Sequence, residues 1–226
     1  MRTQRFFVCI ASDNTFAETL HIMKIIAVGM NYAAHNEEMH NTSEGNDPVI
    51  FMKADTSLLK DGKPFFIPDF SQEIHYETEL VVRISRLGKN IAERFAYRYY
   101  EEVTVGIDFT ARDLQRRFRT AGLPWELSKA FDGSAVVGTF ISLAEAGDIS
   151  NLSFRLEING NKAQEGTTAD MLFPADRLIS YISRFFTLKT GDLIYTGTPA
   201  GTGQVQIDDH LTGYLGDRKL LDFHIR

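Results

Sequence analysis

The chain has 226 residues, 43% hydrophobic and 24% charged, with 30 acidic side chains against 24 Lys and Arg for a formal net charge of −6. That length fits a single domain able to bury a core without disulfides, and the ordinary composition excludes a disordered or collagen-like chain. A net acidic chain lacks the broad basic footprint of a nucleic-acid binder, no apolar run approaches the ~20 residues of a membrane helix, and the lone Cys9 excludes an intrachain disulfide or a Cys-based zinc site.

Residues 1–22 carry Arg2 and Arg5 and then a short apolar run from Phe6 to Ala11, too brief for a signal peptide. At Met23 the text changes to MKIIAVGMNY, the start of a buried strand. Met23 is therefore expected to be the initiator, with residues 1–22 an extension that is not native and residues 23–226 the working domain; the alternative is a genuine but weakly structured extension. A strand is expected at 25–28, ending in Gly29, and a helical or turn-rich stretch at 31–39. Residues 73–84, EIHYETELVVRI, alternate and then become apolar, which is a strand pattern. A helix is expected at 91–100 and a strand at 103–107. Thr110 then opens a helix, TARDLQRRF, with Asp113 as capping-box partner. Asn159-Gly160 suits a tight hairpin turn between strands at 154–158 and 161–165. Pro174 starts a helix with Leu178, Ile179, Ile182, Phe185 and Phe186 on its apolar face. A last strand at 192–196 runs into the loop TGTPAGTG. Clustered strands with few helices predict an α+β, mostly β domain.

Alternation places Glu73, His75, Glu77 and Glu79 on one face of the 73–84 strand. One explanation is a solvated charged face. The other is a bound hard cation, Mg²⁺ or Mn²⁺, relieving repulsion among carboxylates. Asp108 offers a third carboxylate where an apolar strand meets a helix. Asp108, Arg112 and Gln115 are spaced to point one way, as an ordinary surface pair or as a metal ligand beside groups that hold a substrate carboxylate. His35 and Glu38, three apart, can make a carboxylate-oriented imidazole or stand in solvent. Lys129, among apolar residues, can snorkel or aim its charge at an oxyanion. The glycines of 196–203 match neither a dinucleotide nor a Walker pattern, although their N–H groups can receive a small anion.

Seven ordered blocks carry a more specific signal: GMNYAAHNEEM (29–39), FMKADTSLL (51–59), IHYETEL (74–80), GIDFTARDLQ (106–115), GLPWELSKAFD (122–132), NGNKAQEG (159–166) and GDLIYTGTPAGTG (191–203). Together they resemble the fumarylacetoacetate hydrolase superfamily, in its compact single-domain acylpyruvate hydrolase and oxaloacetate decarboxylase type. The resemblance implies a mixed β-sandwich roll with a few flanking helices, a homodimer and a small 2-oxo acid as substrate, while composition and charge predict a cytoplasmic location with no nucleic acid and no membrane as partners. It implies Glu77, Glu79 and Asp108 as Mg²⁺ or Mn²⁺ ligands, and His35 with Glu38 as an acid–base dyad on a lid. It further implies Lys129 facing the substrate carbonyl and Arg112, Gln115 and Thr198 holding substrate. The implied activity is C–C hydrolysis of acylpyruvates, decarboxylation of oxaloacetate, or both, by way of an enolate whose keto–enol interconversion needs only a proton shuttle. The alternatives are an isomerase or hydratase of 2-hydroxy-dienoates and, in another class, a non-catalytic metal-binding protein. Met30 departs from the pattern, standing where close members carry arginine, and a thioether replaces neither the charge nor the bidentate geometry of a guanidinium.

Overall fold

The computed structural model describes residues 23–39 and 47–226, so the expected extension at 1–22 lies outside the described residues. The apolar run IIAVG forms β1 (Ile25–Gly29), followed by a short helix α1 (Ala33–Glu38) and β2 (Val49–Lys53). After β3 (Leu58–Leu59) come β4 (Ile74–Tyr76) and β5 (Thr78–Ile84), with only Glu77 between them. A 3₁₀ segment at Glu93–Arg98 leads into β6 (Tyr100–Asp108), the two-residue β7 (Thr110–Ala111), α2 (Arg112–Ala121) and α3 (Glu126–Lys129). β8 (Ala135–Val137), β9 (Ile141–Ser142) and α4 (Leu143–Ala146) precede the hairpin β10 (Ser153–Ile158) and β11 (Asn161–Thr167). The chain closes with α5 (Ala175–Phe185), β12 (Leu193–Tyr195), β13 (Gly203–Gln204), β14 (His210–Leu215) and β15 (Arg218–His224).

An eight-stranded sheet runs β2-β1-β12-β5-β6-β8-β3, with β9 also on β6. It is mixed: β1–β12 and β3–β8 are parallel, and the other pairings antiparallel. A four-stranded sheet, β11-β10-β14-β15, and a small one, β13-β4-β7, complete the mostly β, α+β architecture. The main core forms where Leu80, Val82 and Val105 of the large sheet meet Leu178, Ile179 and Ile182 of α5 and Phe154 of β10. Val81, on the opposite face of β5, packs with Ala27 and Tyr195, so the central strands are buried on both sides. This explains why 80–82 reads as continuous apolar text instead of alternating. Among the described residues no helix is long and apolar enough to cross a membrane.

Three local expectations need correction. In place of a helix over 91–100 the chain makes a 3₁₀ segment only at Glu93–Arg98, which buries just Ala96, too little apolar surface to support a full α-helix. Thr110 does not cap α2, because it is paired with His75 in β7 and the helix begins two residues later, with Ala111 at the N-cap. Asp113 instead accepts from Ser71 Oγ at 2.6 Å and Gln72 N at 3.0 Å, tying the loop before β4 to the helix. Phe185 is 53% exposed at the overhanging end of α5, packed edge-on against Tyr181. The hairpin is as expected, with Asn159 and Gly160 at φ 53° and 77°.

Gly106 lies opposite Glu79 across β5 and β6, and a Cβ there would stand 2.6 Å from both Val136 O and Val81 Cγ2. Gly106→Ala is expected to lower stability by about 1–3 kcal/mol through overpacking. Urea unfolding checks this, with the midpoint falling and the slope unchanged.

Candidate active site

Glu77 occupies the one-residue break between β4 and β5, where the chain leaves the small sheet for the large one. The four-residue face expected from alternation is therefore cut in two. Glu73 pairs with Arg116 at 2.7 Å on the surface and His75 stays half-buried in β4, while Glu77 and Glu79 turn inward. Asp108, the last residue of β6, donates its N–H to Glu77 O at 2.8 Å, which brings the third carboxylate alongside. Glu77, Glu79 and Asp108 are all buried, each offering an oxygen within 4.8 Å of the others.

Three cations surround them. Lys129 Nζ, from α3, lies 2.7 Å from Glu77 Oε2 and 2.8 Å from Asp108 Oδ2. Arg112 Nη2 donates to Glu77 Oε1 at 2.5 Å and Nη1 to Gln115 Oε1 at 2.6 Å. Lys53, at the end of β2, lies 2.7 Å from Asp108 Oδ1 and also donates to Ser134 O, Ser134 Oγ and Lys129 O. Burial opposes the ionised form of Glu77, but Lys129 and Arg112 outweigh it and hold the carboxyl well below its usual range. Burial likewise works against the Lys129 ammonium, yet Asp108 and Glu77 prevail and raise its pKa. For Lys53 burial wins and its pKa falls.

Glu79 differs from the other two carboxylates. It accepts from Gly197 N at 2.6 Å and has no ion pair among the described residues. Burial first, then the charges of Asp108 and Glu77, push its pKa well above the normal range. Gly197 can approach so closely because it has φ +99° and no Cβ, which would sit 2.7 Å from Asn31 Cβ. Asn31 is itself pinned: its side chain donates to Thr196 O and Phe173 O and accepts from Phe173 N. This bracing fixes the start of α1 against the Gly-rich loop.

On α1, His35 Nδ1 lies 3.2 Å from Glu38 Oε2, and Glu38 accepts from Gly201 N. His35 is buried and lines the same cavity as the three carboxylates, Arg112, Gln115, Lys129 and Thr198. The cavity measures about 40 Å³, enough for an ion or a water but not for a 2-oxo acid. A far larger space of about 1210 Å³, lined by Met23, Phe140 and Lys189 among others, contains none of these groups. Chemistry, not size, therefore identifies the site. All nine residues singled out in the sequence are brought together, although Thr198 is internally engaged, donating to Thr78 O and accepting from Gln164 Nε2. Lys53 and Gln164 were not singled out. A lysine ending the apolar strand VIFMK was the available signal for the first, while Gln164 becomes visible only when β11 meets the Gly-rich loop.

The donor set fits a hard divalent cation. It is all oxygen, it contains a buried carboxylate with no cation in contact, and an ammonium already bridges the other two. Arg112 Nε is also buried without a hydrogen-bond acceptor, as suits a donor kept for an anionic ligand.

A mixed β-roll holding three clustered carboxylates beside a His–Glu pair defines a class, and the comparisons agree. Residues 24–226 match the family described as fumarylacetoacetate (FAA) hydrolase C-terminal, and the chain belongs to that enzyme superfamily. It is 41% identical over 192 residues to oxaloacetate tautomerase YcgM of Escherichia coli (strain K12), covering 84% of this chain and 87% of that protein. The structure of fumarylpyruvate hydrolase from Pseudomonas aeruginosa in complex with Mn²⁺ and pyruvate superposes with TM-score 0.85 and 33% identity, covering 90% and 89% of the two chains. The 5-carboxymethyl-2-hydroxymuconate delta-isomerase from Mycobacterium smegmatis gives TM-score 0.79 and 33% identity over 90% of this chain and 79% of that one.

Mn²⁺ at a hundredfold excess over its Kd is expected to stabilise the fold by about 2.7 kcal/mol, read as a rise in Tm. Glu79→Ala should weaken Mn²⁺ binding by at least about a hundredfold, since loss of an outer partner alone costs 10–100-fold. Isothermal titration measures the affinity and thermal melts the coupling.

Proposed function

We propose that this chain is a divalent-metal-dependent enzyme of small 2-oxo acids whose central step is proton transfer at C3, interconverting the keto and enol forms of an oxaloacetate-like substrate. The observation that carries this proposal is the convergence on one buried cavity of a carboxylate-oriented imidazole, three carboxylates and an ammonium. Glu77, Glu79 and Asp108 would hold Mg²⁺ or Mn²⁺, which when bound supplies a Lewis acid that acidifies C3.

The protein's own groups do the rest. Glu38 fixes the His35 ring through Nδ1, leaving Nε2 to take a proton from C3 and return it. Lys129 has three N–H donors and spends two on Glu77 and Asp108, so one remains for the enolate oxygen. Arg112 and Gln115 orient the substrate carboxylate. The three carboxylates are matched by Lys53, Lys129 and Arg112. A divalent ion thus leaves an excess positive charge, which an anionic 2-oxo acid balances. Because the cavity is too small for substrate as it stands, α1 must swing aside to admit it.

C–C hydrolysis of a 2,4-dioxo acid and decarboxylation of oxaloacetate pass through the same enolate, and they form the second reading. In hydrolysis the His35–Glu38 pair would deprotonate a water attacking C4. The C3–C4 bond would then break, giving a carboxylic acid and the enolate of pyruvate. Similarity to the fumarylpyruvate hydrolase supports this route. Tautomerisation stands first because it needs only the proton shuttle and because YcgM is the more similar relative. The isomerase relative supports a third use of the same shuttle, on dienoates.

The test follows loss of the enol absorbance of oxaloacetate, and pyruvate release from acetylpyruvate and oxaloacetate, with Mg²⁺ or EDTA. Enol loss is expected to be metal-dependent and to fall about 10²–10⁴-fold in His35→Ala. Catalysed enol loss indifferent to both EDTA and His35→Ala would contradict the assignment. Pyruvate release from acetylpyruvate without enol turnover would establish the hydrolase instead.

A further inference from the structure

We propose that Arg119 is a specificity-determining residue that binds a second, distal carboxylate on the substrate. The inference rests on the 2-oxo acid reading above and names the dicarboxylic members of that class. Helix α2 presents Arg112, Gln115 and Arg119 along one face, spaced three and then four residues apart, and all three line the cavity. The first two are joined to each other and to Glu77, at the end where the keto acid would be held. Arg119 lies one turn further along the axis, roughly 6 Å from Gln115 in rise.

Its neighbours on the helix are occupied: Arg116 pairs with Glu73, and Arg117 lies over the Phe118 ring. Arg119 is exposed and makes no side-chain hydrogen bond, ion pair or ring contact among the described residues. Met30, Met39 and Trp125 also line the cavity and carry no charge to compete with it or to neutralise it, while Phe51 lies under the Lys129 ammonium. An unpaired guanidinium at the rim of an apolar wall, one turn from the carboxylate-holding end, matches a carboxylate on a short spacer and offers it a bidentate fork. A monocarboxylic 2-oxo acid would leave this cation in water. Met30, in the left-handed region at φ 60°, lines the same cavity, and among the described residues that line it Arg119 is the one Lys or Arg without an ion pair.

The experiment compares wild type, Arg119→Ala and Arg119→Lys by the KM and kcat for oxaloacetate and by the inhibition constant of pyruvate, which lacks the distal carboxylate. Arg119→Ala is expected to raise KM for oxaloacetate about ten- to thirtyfold with kcat within threefold, while the pyruvate constant moves less than threefold. Arg119→Lys, which keeps the charge but not the fork, should recover most of the loss. Unchanged KM, or parallel losses for oxaloacetate and pyruvate, would overturn the assignment, since a merely structural role affects both ligands alike. Wild-type protein that neither binds nor turns over oxaloacetate would remove the 2-oxo acid reading itself, and this inference with it.

Discussion

Three carboxylates confined within 4.8 Å of one another, away from water, repel, and the surrounding structure answers that repulsion. Lys129 bridges two of them, Lys53 and Arg112 each brace one, and Glu79 is left with a single backbone N–H. A protein that needed only stability would not retain such an arrangement, because well-packed apolar residues usually do as well or better than buried ion pairs. The unequal treatment of the three acids is the informative feature. Two are in contact with cations of the fold, and the third, Glu79, has none in contact among the described residues.

The scaffold serves this cluster at several distances. Burial of β5 and β6 on both faces fixes their register, so Glu79 faces Gly106 and Asp108 hydrogen-bonds to Glu77. The close approach of Asn31 to Gly197 connects the segment entering α1 with the loop that holds Glu79. The His–Glu pair and the carboxylates thus share one frame, with the six-residue α1 lying outside the sheet. Such a division, with the charges in the sheet and the proposed proton carrier on a short element, suits a reaction in which substrate must enter a nearly closed cavity.

Much of this was legible in the sequence because chemistry-bearing residues fell in short, ordered blocks. Glu77, Glu79, Asp108 and Lys129 could be named, and the strand-rich class followed from clustered apolar runs. Where the text misled, tertiary context had overridden local pattern. Alternation extended one face from Glu73 to Glu79, but the chain changes sheets at Glu77, so Glu73 ends on the surface with Arg116. Thr110 has the look of a cap, yet pairing with His75 holds it extended. Lys53 stayed hidden because a lysine at a strand end ordinarily reaches solvent, and only the approach of Asp108, Ser134 and Lys129 from distant positions makes it a buried charge. Arg119 carries no local signal at all, since its proposed role rests on having no partner among the described residues while its helix neighbours do.

The central claim is that the carboxylate triad is a metal site, and anomalous diffraction from crystals grown with Mn²⁺ tests it most directly. A single strong peak contacting Glu77, Glu79 and Asp108 is the predicted result. Crystals at saturating Mn²⁺ with no peak there, and Lys129 still spanning Glu77 and Asp108, would show that the lysine is the cluster's own permanent cation and would contradict the account.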